Sequence, residues 1–471
     1  MSTSTVVSSP TSTVQRWLVL AVVLLADVLD LIDATVTNLA APTITAVLHG
    51  RAWLVPWLGA SYAVTLGSLL VLGGRLGDRY GRRRTFLVGL AGFTLASLAC
   101  GLAWSPLVLI AARLVQGAFG ALLIPQGFGL LTDVFPREQL GKAFSFFGPV
   151  MGLSAVGGPL LAGYLLHADL FGWGWRAMFL INIALGAVGL VAAFVLLPAG
   201  PADPAVWVDV AGAALLAGAM LGMLGGLIAG GTGRWSTLTV AVVACGVVLL
   251  IAFVVQQRRA AQPLIIPTLF ANRGFVAGLG VGVVYFAVVA GLLYLVSLYL
   301  QPDRGYSPVS TSLRLAPLAV GIVLASVACY PLIGRLGRRL VVIGLLLTLL
   351  GSAALLFAIT LHGTNFTWVL VGCLLVVGLG MGCCFGSIFD TALGDIDPDQ
   401  TGSASGSLNA VQQLANAAGS AVLATVFLAT ATRHGTAAAV VTGLGIVLAA
   451  AVLCLGATRL LPRHAAPETG H

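Results

Sequence analysis

The chain has 471 residues, 59% of them hydrophobic and 8% charged, and its mean hydropathy is +1.05. This composition excludes a soluble domain and predicts an all-α, multi-pass membrane protein. The net charge of +8 is spread over short loops, so it does not point to a nucleic-acid partner. The seven cysteines fall mostly inside apolar runs without metal spacing, so they read as apolar fillers, with no metal site and no disulfide framework.

Fourteen apolar runs of spanning length follow one another, at about 17–39, 52–73, 85–103, 106–127, 143–166, 177–198, 208–229, 237–256, 275–300, 311–333, 339–361, 367–389, 404–429 and 436–460. The first run carries Asp27, Asp30 and Asp33. Their i, i+3, i+6 spacing places them on one helical stripe about 120° wide, with the end acids ~9 Å apart. An acid at mid-bilayer costs ~3 kcal/mol, so such residues usually face a cavity and do a job. Coupling to protons is the job that suits them, and interacting acids titrate as a group. For Asp27 and Asp30, a wetted position near a membrane surface is the alternative.

An even number of spans puts both termini on one side. With that side as the cytoplasm, the inner segments hold sixteen positive residues and the outer loops six: Arg51, Arg176, Arg234, Arg304, Arg314 and Arg433. This bias orients the protein with both ends inside. Arg113 is the one strong base in the interior of a run, away from its ends. It needs a carboxylate or carbonyl partner, and its role is proton transfer or a polar clamp. Gln116 lies three residues on, about the same face.

The loop Gly74-Arg-Leu-Gly-Asp78-Arg79-Tyr-Gly81-Arg82-Arg-Arg84 has a shortened copy in Gly334-Arg-Leu-Gly-Arg-Arg339. The repeat divides the chain into a six-helix bundle at 1–198, an inserted pair at 199–260 and a second six-helix bundle at 261–471. Repeated halves around a central site are the plan of secondary transporters. Acidic residues Asp133 and Glu138, and Asp390, Asp395, Asp397 and Asp399, are read in inner loops. The crossed charges suggest a latch in which the basic loop of each half meets the acidic loop of the other, closing the cytoplasmic side in the outward-facing state. Asp78 is also expected near the positive N-terminus of the thirteenth helix. The inserted pair reads as an appendage outside the transport path. Asn409 and Gln413, polar at i, i+4, join Tyr62, Gln116 and Gln126 as candidates for lining a mostly apolar cavity; interhelical hydrogen bonding is their other reading.

Several of these segments resemble the major facilitator superfamily, and within it the fourteen-helix drug:proton antiporters. The 74–84 loop is similar to the family's gating signature. Leu109-Ile-Ala-Ala-Arg113-Leu-Val-Gln116-Gly117 resembles its fourth-helix motif, and Asp33-Ala-Thr35-Val-Thr-Asn38 its first-helix motif. Trp175-Arg176-Ala-Met-Phe179-Leu-Ile-Asn182 and Gln301 with Gly305-Tyr306-Ser307-Pro308 fit two further patterns. Gly152, Gly158, Pro159 and Gly163 keep the outline of the antiporter motif, with Ser154 and Ala162 replacing two glycines.

The resemblance implies a non-enzymatic exporter of small amphipathic drugs or antibiotics, driven by protons and needing no other cofactor. It would be a monomer in a bacterial cytoplasmic membrane. It makes Asp33 the proton or substrate-charge site with Arg113 beside it, and gives Asp78, Arg79, Arg82, Gly74 and Gly81 to gating. An importer or a dedicated metabolite exporter on the same fold is the alternative. The only lysine, Lys142, lacks P-loop spacing, which argues against an ATP-driven pump. The Ala-, Gly- and Arg-rich composition fits self-resistance in an antibiotic producer.

Overall fold

The computed structural model describes residues 12–51, 53–136, 139, 143, 146–169, 172–200, 202–232, 236–260, 263–265, 267–300, 306, 308–361, 366–393, 396 and 401–462. Lys142, Glu138, Arg234, Gln301, Arg304, Gly305, Ser307, Asp395, Asp397 and Asp399 lie outside the described residues, as do the side chains of Asn38, Gly152 and Pro159.

Among the described residues the chain is helical, without strands. Its long helices are α1 (Thr13–Val47), α2 (Leu54–Tyr80), α3 (Arg82–Gly101), α4 (Pro106–Val134), α5 (Phe147–Ala168), α6 (Arg176–Leu196), α7 (Val210–Thr232), α8 (Thr237–Arg259), α9 (Arg273–Leu298), α10 (Pro308–Cys329), α11 (Arg338–Leu361), α12 (Phe366–Leu393), α13 (Thr401–His434) and α14 (Thr436–Ala457). Eleven helices are long and apolar enough to cross a membrane among the residues described.

Helix ends are set by capping, and so several outrun their apolar cores. Ser12 accepts from Gln15 N at the start of α1 (3.2 Å), and Ser105 from Val108 N before Pro106 of α4 (3.4 Å). Many charged residues expected in loops lie in helices instead, Asp78, Asp133 and Arg176 among them. Asp390 is half-buried in the last turns of α12, and Arg314 sits in α10 with its guanidinium 3.7 Å from the Tyr306 ring centroid.

The two copies of the Gly-Arg-Leu-Gly segment turn at different glycines. The first continues as helix through Gly77 and turns at Gly81, where φ is +92°. The second forms a short helix, Ile333–Leu336, and turns at Gly337 with φ +45°. Such positive φ values are strained for residues with a Cβ. The shorter copy lacks the four residues that carry the first to its turn.

Small residues bring backbones together. A Cβ on Gly73 of α2 would meet the Ala121 carbonyl of α4, and one on Gly117 would meet Thr65 Oγ1 and the Tyr62 carbonyl. The two halves, α1–α6 and α9–α14, meet along α2 with α13 and α5 with α10. At the end away from the 74–84 loop they close on each other. There Ile44, Leu54 and Leu58 share an apolar cluster with Tyr285, Phe286 and Leu295. Tyr294 Oη of α9 donates to the Val55 carbonyl of α2 at 3.0 Å.

The inserted pair stands over a seam between the halves. Leu224 and Ile228 of α7 cluster with Ala60 and Val64 of α2 and with Ala417 and Ala421 of α13. The expected appendage is thus in contact with both halves.

Candidate functional site

Four helices of the N-terminal half bring their buried polar residues to one point. Asp33 of α1, Ser97 of α3, Arg113 and Gln116 of α4, and Asn182 of α6 are all 2% exposed or less. Arg113 Nη1 donates to Asp33 Oδ2, forming a fully buried ion pair. Gln116 Nε2 and Asn182 Nδ2 each donate to Asp33 Oδ1 at 2.9 Å. Gln116 Nε2 also reaches Ser97 Oγ at 2.8 Å, and Arg113 Nη1 reaches Gln116 Oε1 at 2.7 Å. Arg113 Nε donates to the Leu58 carbonyl of α2 at 3.2 Å. Thus one carboxylate receives three donors, and one guanidinium ties α1, α2 and α4. A buried charge pair persists only when its remaining hydrogen-bonding positions are also met. Most of those positions are met here; among the described residues Arg113 Nη2 and Asn182 Oδ1 are the buried exceptions in the knot.

Tyr62 of α2 joins this knot to the next acid. Its ring lies under the Arg113 guanidinium, 4.4 Å from centroid to Cζ. Its hydroxyl donates to Asp30 Oδ1. Asp30 is 6% exposed. Asp27, one turn earlier, is only half-buried, with no hydrogen-bond partner among the described residues. The single acidic stripe of the sequence thus contains three environments: ion-paired, hydroxyl-bonded, and half-buried without a hydrogen bond among the described residues.

Three expected cavity residues are elsewhere. Gln126 is 1% exposed and donates to the Gly73 carbonyl at 2.8 Å, inside the α2–α4 contact. The gap it fills is the one left by Gly77, whose Cβ would overlap its amide. Gln116 and Tyr62 belong to the knot and are buried there. Asn409 and Gln413 are half-buried on α13, and Gln413 Cβ is 3.0 Å from where a Cβ on Gly67 of α2 would stand. In α5, a Cβ on Gly158 would meet Thr35 Oγ1 of α1, and Gly163 is buried. Ser154 is buried as well.

The 74–84 segment is bonded within the N-terminal half and to the segment before α7. Arg82 pairs with Asp133 at 2.9 Å and with Asp78 at 3.6 Å, and donates to the Gly129 carbonyl at 2.6 Å. Asp133 pairs with Arg82 of its own half because α4 ends beside the start of α3; the halves here close at the opposite end, whereas the cross-half latch belongs to the state closed at the 74–84 end. Asp78 offers its carbonyl to Asp203 N at 2.9 Å, and Arg79 Nη1 donates to the Val206 carbonyl at 3.3 Å. Both contacts lead to the segment before α7. A Cβ on Gly74 would come into ordinary contact with Pro125, at 3.6 Å.

Sequence reasoning assigned no role to Asn182 or Ser97. Asn182 had a signal, since it is a polar residue deep in an apolar run. Ser97 had none beyond the many small residues of α3.

A fully buried pair of opposite charges, held by amides and placed on facing helices, is the arrangement of a site that stores or moves charge within a membrane. The family model described as "Major Facilitator Superfamily" matches residues 23–206 and 210–420. A probable actinorhodin transporter of Streptomyces coelicolor is 41% identical over 426 residues, covering 89% of this chain and 74% of that protein. The tetracenomycin C resistance and export protein of Streptomyces glaucescens is 32% identical, covering 86% and 75%. Among solved structures, the human organic anion transporter MFSD10 superposes with a TM-score of 0.61 at 19% identity, covering 93% of this chain and 99% of that one. That likeness is one of fold. The chain belongs to the Major Facilitator Superfamily and is a multi-pass membrane transporter rather than an enzyme.

Proposed function

We propose that this transporter exports amphipathic drugs or antibiotics in exchange for protons, by alternating access. The observation that carries the reading is the Asp33–Arg113 pair, buried at the meeting point of α1, α2 and α4. The relatives named for antibiotic transport and export support the direction. All fourteen long helices cross the bacterial cytoplasmic membrane, both termini lie in the cytoplasm, and the chain works as a monomer without a cofactor beyond the proton.

Asp33 is enclosed by three donors, so a drug cannot compete for it directly. A proton reaching Asp33 instead discharges the carboxylate and frees Arg113 from its ion pair. The guanidinium stays charged and shifts its weight to Gln116, the Leu58 carbonyl and the Tyr62 ring. Because those groups lie on α2 and α4, the proton alters how three helices are held. Asp27, half-buried and without a hydrogen bond among the described residues, is the acid placed to meet a cationic drug or an incoming proton first.

The test is drug movement in reconstituted vesicles under an imposed pH gradient, comparing wild type with Asp33→Asn. The gradient should drive drug across in wild type and fail to do so in the variant. Gradient-driven transport that survives Asp33→Asn would move coupling to Asp27 or Asp30. A broad drug panel of which nothing moves would replace drug export with a narrow metabolite substrate.

A further inference from the structure

We propose that the groove between α3 and α6 holds one anionic phospholipid, with its phosphate on Arg83 and Arg84 and an acyl chain along the groove. Arg83 and Arg84 stand one helical turn before Leu87 and Val88, on the same face of α3. Leu87, Val88 and Ala91 together with Leu190, Val191 and Phe194 of α6 form an open groove of about 490 Å³ without a polar side chain. Phe194 and Val191 are each 67% exposed along it. An apolar channel thus begins at two guanidiniums at the end of a membrane helix, which is the polarity sequence of a phospholipid.

The arginines are prepared for an anion and have none from the protein. Arg83 Nη2 donates to the Phe194 carbonyl at 2.5 Å, in the last turn of α6, and its guanidinium is 5.5 Å from the Phe194 ring centroid. This contact fixes Arg83 at the head of the groove. No carboxylate pairs with Arg83 or Arg84 among the described residues; Asp78 and Asp133 both face Arg82. Guanidinium groups match phosphate oxygens in pairs, so a phosphodiester supplies what is missing. The inward bias of positive charge accounts for arginines in this loop, but not for a groove leading away from two of them. With no polar group along its length, the groove lacks what orients a drug.

The inference does not depend on what the protein exports. The purified full chain is titrated with phosphatidylglycerol or phosphatidylcholine of matched acyl chains, and bound lipid is counted by native mass spectrometry. Wild type should retain one phosphatidylglycerol in preference to phosphatidylcholine. Arg84→Gln, at an exposed position, should lower that retention about fivefold, the effect of one basic residue near a membrane surface. Arg83→Gln should lower it as much or more. Val191→Trp, which fills the groove and leaves both arginines, should lower it too. Equal retention of the two lipids by wild type, or wild-type retention in Arg84→Gln and Val191→Trp, would overturn the proposal.

Discussion

In the N-terminal half, the Leu58 carbonyl of α2 accepts from the Arg113 guanidinium of α4. In the C-terminal half, the Leu318 carbonyl of α10 lies against Gly378 of α12, where a Cβ would overlap it. The two places correspond, because the Gly-Arg-Leu-Gly segments start at 74 and 334 and the same offset carries Leu58 to Leu318. One half fills this junction with charge, and the other closes it with bare backbone contact. The contrast extends further. Asp30, Asp33 and Arg113 are fully buried in the N-terminal half, whereas the fully buried polar residues described in α9–α14 are Ser and Thr. Thr348, Ser387 and Thr391 there bond to carbonyls of their own helices. Buried ionisable side chains are thus concentrated in one half, and the other is closed by packing.

Arg113→Ala tests this contrast most severely. It leaves the Asp33 carboxylate buried beside amides alone, and breaking a buried pair costs about 3–5 kcal/mol. A large fall in the thermal unfolding temperature in detergent is expected, together with loss of proton-driven transport. Arg113→Lys keeps the charge without the planar fork, so it should recover part of the stability and little of the transport. If Arg113→Ala unfolds like wild type, the knot is not what holds the N-terminal half together.

Tyr62→Phe is the next step down. The ring under Arg113 remains, and only the hydroxyl given to Asp30 is lost. Leaving a buried acceptor without its donor costs about 1–3 kcal/mol. Unfolding should occur at a moderately lower temperature, and the pH profile of transport should shift because Asp30 has lost its donor. An unmoved profile would mean that Asp30 stands apart from coupling.

Much of this was legible in the sequence, and the reasons it ran out are physical. Each apolar run does hold a long helix, but capping by Ser12 and the turn at Gly81 set the ends of α1 and α2, and hydropathy does not register either. Asp33 and Arg113 stand out as opposite charges in apolar runs. Their meeting is a tertiary fact across 80 residues. Gln116 and Gln126 look alike as amides on one helix, yet ten residues of helix turn them to different neighbours. One enters the knot and the other bonds the Gly73 carbonyl. Gly378 was indistinguishable among sixty glycines, since its significance lies in the carbonyl opposite.

Gly378→Ala breaks the comparison from the other side. The added methyl meets the backbone of Leu318, which cannot rotate away, so α10 and α12 must separate. Overpacking of this kind costs about 1–3 kcal/mol. The variant should unfold earlier and transport more slowly, with the proton dependence of wild type. A changed proton dependence would show that the C-terminal half takes part in coupling.

The smallest effect is expected at Asp209, a buried acid that belongs to neither half. It accepts from Gly212 N at 2.8 Å, Gln256 Nε2 at 3.0 Å and Gln257 Nε2 at 2.7 Å, tying the start of α7 to the end of α8. The segment just before it is bonded to Asp78 and Arg79 of the gating loop, while α7 further along packs on α13. Asp209→Asn keeps the shape and one acceptor oxygen, so the loss is about 1 kcal/mol. Spin labels on α8 should become more mobile. Because the inserted pair touches both halves but not the knot, the rate of transport should fall while its dependence on the proton gradient stays fixed. If Asp209→Asn changes that dependence as Asp33→Asn is expected to, then the inserted pair shares in coupling, and the division of labour between a charged half and a packed half is too simple.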